Sequence, residues 1–181
     1  MKREEAFKLI QSKTKNANLI KHMLATEACM KALARYLEED EALWGLTGLL
    51  HDLDYEETLG NFPQHGVVSA KILTNLEVNA QVIYAIQAHT GQTPAKSPMA
   101  KALYAVDPLT GLIVASSLMH PSKSLAKTDV PFIMNRFQDA SFAKGANRSQ
   151  IQTCTGLGMT LPVFVKVSLE AMQAIAKELE L

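Results

Sequence analysis

With 181 residues, nearly half of them apolar, the chain is long enough to bury a sizeable core and too hydrophobic to be disordered. Eighteen basic side chains balance eighteen acidic ones. No Lys/Arg cluster is dense enough to follow a phosphate backbone, which excludes a nucleic-acid polymer as the expected partner. The apolar stretch Leu109 to Met119 is broken by Thr, Gly and Ser and reads as too short for a membrane span. The opening "MKREEAFKLI" is charged and amphipathic, unlike a secretory signal. Two distant cysteines, Cys29 and Cys154, read as reduced thiols in the core, so the expected location is the cytoplasm. Nothing in this composition fixes an oligomeric state.

The periodicity is helical nearly throughout. From 19 to 37, Leu19, Met23, Ala28, Met30, Leu33, Ala34 and Leu37 recur at threes and fours, after Asn16 or Asn18 as a cap. Asp40 is placed to cap a second helix, Glu41 to His51, with Leu43, Leu46, Leu49 and Leu50 apolar. "GNFPQ" (60–64) is turn chemistry. A helix is expected from His65 to Leu76, and another capped by Asn79 and ending at His89. "TGQTPAKSP" (90–98) is a loop whose Ser97-Pro98 opens the next helix. Asp107-Pro108 repeats that cap-and-proline pair, so a kink or restart is expected at Asp107. A second loop region, 120–131, precedes two or three more helices, the last an amphipathic segment from Thr160 to Leu181. No stretch alternates long enough to form a sheet. The expected fold is all-α, six to nine helices in one domain, with a core at about 18–120 and added helices over 121–181.

Five histidines stand at 22, 51, 65, 89 and 120. The first and third fall near expected helix starts, the second and fourth at helix ends, where side chains from several elements can converge. A lone histidine in such a place is more often a hydrogen-bonded core or surface residue. Four together with Asp52 and Asp107 favour a metal site. Imidazole nitrogen with carboxylate oxygen suits Mn, Fe, Co, Ni or Zn, and neither cysteine lies near enough in sequence to suggest a thiolate zinc site. His51 and Asp52 are adjacent and cannot share one helical face. Both reach an ion only if the helix ends there, which "LDYEE" and "GNFP" permit.

His22, the pair in "GLLHDLDYE" and the distal Asp107 together resemble the HD-domain metal-dependent phosphohydrolases of the broader HD/HDIG superfamily. The resemblance covers roughly residues 18 to 120 and implies a helical bundle with its metal site between helices. The family pattern implies that His22, His51, Asp52 and Asp107 hold one ion. Two optional histidines, His65 in "QHGVVSA" and His89 in "IQAHTG", imply with a bridging Asp52 a second. One departure stands out. Many dinuclear members continue the pair as His-Asp-x-x-Lys, and here Tyr55 takes the lysine's place. "HDLDYE" looks more like the small single-domain hydrolase-like members.

Three functional readings follow from that resemblance. In the first, one or two ions activate water against a small phosphorylated molecule, a phosphate ester or nucleotide-like compound. A carboxylate beyond the ligands would orient the water or protonate the leaving group, for which Asp54 and Glu56 are candidates beside Asp52, although a solvated acidic loop explains them equally well. Lys123, Lys127, Arg136 and Lys144 are candidates for a phosphate clamp, each also explicable as a surface residue. The second reading is a mixed-valent diiron oxygenase using the same ligands, disfavoured by Tyr55. The third is a metal-stabilised signalling module without turnover, disfavoured because no ligand has been lost. "GLGMTLP" (156–162) lacks the strand a phosphate loop needs and reads as a helix connection.

Overall fold

Side-chain caps set most of the helix starts. In a computed structural model describing residues 1–181, the Asn16 side chain accepts from Asn18 N and Leu19 N, opening α2 (Ala17–Tyr36) after α1 (Arg3–Lys13). Asp40 caps α3 (Glu41–Leu50) through Leu43 N. After α4 (Val67–Asn75), Asn79 caps α5 (Ala80–His89) through Gln81 N. Ser97 with Pro98 opens α6 (Pro98–Met119) through Ala100 N. Each cap satisfies amides that the first turn leaves without partners. The chain ends in α7 (Val130–Gln138), α8 (Arg148–Gln152), α9 (Leu161–Ala174) and α10 (Ala176–Leu179), with three short 3₁₀ turns between elements and no strand.

The protein is all-helical, with ten helices rather than six to nine. The excess comes from α8 and α10, one turn each and too short to show a period. The segment from Thr160 also breaks, at Ile175. His65 falls between a 3₁₀ turn and α4 rather than on the helix itself.

α2 is the central element, packing on α3, α6 and α9. Met23, Met30 and Leu33 from α2 are fully buried with Leu49 and Leu50 of α3 and Leu103, Leu109 and Leu112 of α6. One contiguous apolar core runs from Ala6 to Leu179. Cys29 and Cys154 are both buried in it as free thiols, and burial pushes the Cys29 thiol up to about 12. Leu109–Met119, too short alone to cross a membrane, belongs to the 22-residue α6, which is long and apolar enough to do so. More than half of its most apolar window is covered by the rest of the protein, the pattern of a core helix.

Pro108 does not restart α6, which runs on as one helix through the position where a kink or restart is expected. Proline lacks the amide that would bond the carbonyl four residues back, Tyr104 O. Gln150 Nε2 on α8 donates to that carbonyl at 2.7 Å, so the helix stays continuous at its most vulnerable point. The compensating residue lies 42 positions away, out of reach of any local reading.

α2 and α3 approach so closely that only glycine fits between them. A Cβ on Gly48 would stand 2.7 Å from Thr26 O and 2.9 Å from Glu27 N, both backbone atoms. Gly48→Ala is therefore expected to force the two helices apart and to cost about 1–3 kcal/mol, measured by chemical denaturation. An unchanged denaturation midpoint would refute this contact.

Candidate metal centre

α3 ends at Leu50, and the chain turns from 51 to 60, freeing His51 and Asp52 from a common helical geometry. His51 stands where the last carbonyls of α3 lack intrahelical partners. Its Nδ1 donates to Gly48 O at 2.8 Å. His89, the last residue of α5, donates from Nδ1 to Ile86 O in the same way. A carbonyl can only accept, so both rings carry a proton on Nδ1, and Nε2 is the nitrogen left to ligate once the ring is neutral. Helix ends thus select the tautomer as well as the position.

The other two rings are fixed by side chains. Thr110 Oγ1 lies 2.9 Å from Asp107 O and 3.0 Å from His22 Nδ1. The hydroxyl proton goes to the carbonyl, so Oγ1 accepts from His22 Nδ1–H. His65 Nδ1 donates to Asp54 Oδ1 at 2.8 Å. All four histidines therefore turn Nε2 toward the same place.

His22 and His51 Nε2 are 3.1 Å apart, as are His65 and His89 Nε2. Asp107 Oδ1 lies 3.1 Å from His22 Nε2 and 3.7 Å from His51 Nε2. Asp52 stands between the two groups. Its Oδ2 is 3.6 Å from His22 and 3.5 Å from His51. Its Oδ1 is 3.3 Å from His65 and 3.5 Å from His89. The cluster has two halves with one carboxylate in common.

These spacings fit a cation. Ligands about 2.1 Å from one ion stand roughly 3.0 Å apart at right angles and roughly 3.4 Å apart in a tetrahedron. At 3.1 Å each Nε2 pair needs a positive charge between the two nitrogens, a proton in the metal-free protein or a metal ion in its place. His22, His51 and Asp107 form one group able to hold a metal, and His51, Asp52 and His89 another. The nitrogen and oxygen donor set suits divalent transition ions.

Electrostatics agrees with a cation-ready site. Burial opposes charge on His51, but Asp52 and Asp107 outweigh it and raise the imidazole to about 9. Burial is likewise overcome at His65, where bonds to Asp52 and Asp54 bring the ring to about 9. Despite its burial, Asp52 is held well below the usual carboxylate range by His51, His65 and His89. Asp107 is lowered too, burial again being outweighed, by His22 and His51. Both carboxylates are thus ionised and ready to ligate.

The other residues singled out from the sequence lie differently. Asp54 is fully buried. Besides His65, it accepts from Gly66 N at 2.9 Å and Ser69 N at 2.8 Å, so neither oxygen is open to water or substrate. Gly66 can present its amide there because it adopts a φ of +79°, open to glycine. Asp54 therefore orients His65, and its expected part in proton transfer is set aside. Glu56 lines the cleft, but its carboxylate accepts from Lys15 N and Asn16 N at the start of α2. Those bonds lower its pKa and make it a poor proton donor. Arg136 packs beside Phe132 and Phe142 and faces Asp139. None of Lys123, Lys127, Arg136 and Lys144 lines the cleft.

Sequence reading also missed Thr110, Gly48 O and Ile86 O. The two carbonyls could have been found, since a histidine three residues after a helix's last exposed carbonyl is well placed to bond it. Asp54→Ala is expected to weaken metal binding by about 10–100-fold, the usual consequence of losing a carboxylate that orients a ligating histidine. Competition with a metal-binding dye would measure it, and unchanged affinity would remove Asp54 from this role.

Above the cluster opens a cleft of about 580 Å³. Asp52, His65 and His89 form its floor side, all nearly inaccessible, while His22 and Asp107 are about a quarter exposed; His51 lies buried beneath them. A helical bundle carrying a buried, shared His/Asp cluster at the base of a cleft is an architecture suited to holding divalent metal. A family model for the HD domain matches residues 19–116, over half of the chain, and the chain belongs to this superfamily of metal-dependent phosphohydrolases. The chain matched no curated protein and no solved structure.

Proposed function

We propose that the protein hydrolyses the ester bond of a small phosphorylated molecule at a dinuclear site. His22, His51, Asp107 and one Asp52 oxygen would hold one ion, and His65, His89 and the other Asp52 oxygen a second. Divalent ions there supply Lewis acidity toward phosphoryl oxygens and lower the pKa of the attacking water. The observation carrying this reading is the division of Asp52 between two histidine pairs, each spaced as ligands of a common cation.

The chain's own contribution is arrangement. Gly48 O, Ile86 O, Asp54 and Thr110 hold the four rings at fixed tautomer and angle, so little reorganisation accompanies binding. The half formed by His65, His89 and one Asp52 oxygen offers three ligands, so an ion held there would keep positions for water or substrate, as catalytic sites do. The cleft volume falls within the range of small-molecule sites. The cluster's position at its base, with only the His22 and Asp107 side partly open, limits water around the phosphoryl group.

The test is a phosphate-ester screen with protein loaded with Mn or Fe, its metal content determined in parallel. Metal-dependent release of phosphate supports the reading. A metal-loaded protein that consumes dioxygen instead, or turns over no ester, overturns it.

A further inference from the structure

The rim of the cleft differs in chemistry from its floor. Sixteen residues line it, and none is Lys or Arg. The side chains that approach the cluster as charges are carboxylates: Asp52, Asp107 and Glu56. Any phosphate held here is neutralised by the metal ions, because the protein offers no cationic side chain to a second or third phosphoryl group. Bound cations are then the largest local positive charges, and the ligating carboxylates already cancel part of them.

What the rim offers instead is apolar surface. Tyr55, Leu59 and Phe62 line the cleft while 42%, 67% and 58% exposed, three large hydrophobic side chains on one short segment. The two aromatic ones sit against His65. The Tyr55 ring meets His65 edge-on at 5.4 Å between centroids, and the Phe62 ring lies 5.8 Å from it. The segment is also tied down. Thr58 Oγ1 donates to Asp54 O, Asn61 N donates to Thr58 O, and Gln92 Nε2 donates to Phe62 O at 3.1 Å. Glu56 pins its beginning to the residues just before α2. Exposed apolar side chains grouped on a fixed backbone beside a polar site mark a surface that is covered during function. Aromatic rings there bind flat apolar groups at low entropic cost, having few side-chain rotors to immobilise.

From this juxtaposition we infer that the substrate is a monoester bearing a single phosphoryl group on an aromatic or flat apolar alcohol, the alcohol lying on Tyr55, Leu59 and Phe62. The inference rests on the phosphoester reading above and sharpens it: polyphosphorylated compounds are poor ligands, and so are esters of small alkyl alcohols. Hydrolysis would break the phosphorus–oxygen bond with water as co-reactant, giving inorganic phosphate and the free alcohol.

Non-hydrolysable ligands test this by binding, independently of turnover. Protein loaded with Mn and verified by elemental analysis is titrated calorimetrically, in excess free Mn, with benzylphosphonate, methylphosphonate and the benzyl diphosphonate analogue. Benzylphosphonate is expected to bind at least about tenfold tighter than methylphosphonate, consistent with burial of one aromatic ring. Phe62→Ala and Leu59→Ala, both at exposed positions, should each remove most of that advantage. The diphosphonate should bind no tighter than the monophosphonate. Leu118 lines a separate groove on the other side of His22 and provides a comparison. Leu118→Ala should leave the benzyl preference intact. Equal affinity for benzyl and methyl ligands, tighter binding of the diphosphonate, or loss of preference in Leu118→Ala instead of Phe62→Ala would overturn the inference alone. Failure of every phosphonate to bind metal-loaded protein would overturn the phosphoester reading and this inference with it.

Discussion

Asp52→Ala is expected to abolish metal-dependent turnover and to bring metal content near background while leaving the helical signature in circular dichroism intact. The expected loss exceeds the roughly 10–100-fold that follows removal of an outer hydrogen-bond partner, because Asp52 faces both histidine pairs with separate oxygens. No other side chain can replace it. Asp107 reaches only His22 and His51, and Asp54 is committed to His65 and two amides. The fold should survive, although breaking a buried ion pair commonly costs about 3–5 kcal/mol. That cost arises when a buried charge is stranded, and the imidazoles can avoid it by releasing a proton. His51, now held near 9 largely by Asp52 and Asp107, would titrate lower in the variant. Asp52→Asn preserves volume and should lose metal equally, separating charge from packing. Retention of one full equivalent of metal in either variant would show that the two halves do not depend on the shared carboxylate.

The sequence disclosed those parts of the molecule that local chemistry determines. Caps at Asn16, Asp40, Asn79 and Ser97 lie where side-chain acceptors precede apolar periodicity, and the structure uses each one. His51 and His89 fall at helix ends because their patterns stop there, and convergence of ends needs no long-range information. What escaped reading was tertiary. Asp54 follows Asp52 by two residues, and from sequence it is equally a proton-transfer candidate and part of a solvated acidic turn. It is buried because that turn folds onto the start of α4, where Gly66 and Ser69 aim their amides at it. Pro108 leaves α6 unbroken through Gln150. Lys123, Lys127, Arg136 and Lys144 are candidates from sequence only because a phosphate ligand calls for a cation beyond the metals. The segment after α7 is instead organised inward by Arg148, whose guanidinium donates to carbonyls including Ala143 O, Ala146 O and Phe142 O. Gly145 and Gln150 flank that anchor, and they, rather than any cation, reach the cleft.

Metal affinity should rise steeply with pH. An imidazole ligates only when neutral, and in the metal-free protein His51 and His65 stay protonated up to about 9. Loading both halves must therefore displace about two protons, and each proton gives up to tenfold in apparent affinity per pH unit below that value. The carboxylates add no opposing dependence in this range, since Asp52 and Asp107 are lowered and remain ionised. For the metal-free fold the sign is reversed. A raised histidine pKa contributes stability that is complete below the unfolded value near 6.5 and disappears as pH climbs through about 9. From pH 6.5 to 9 the metal-free protein should lose thermal stability while the gap between loaded and free forms widens. Calorimetric titration in buffers of different ionisation enthalpy would count the protons released at pH 7.5. A count near zero, with affinity independent of pH, would mean that these rings meet the ion already neutral, and that the aspartates do not govern their charge.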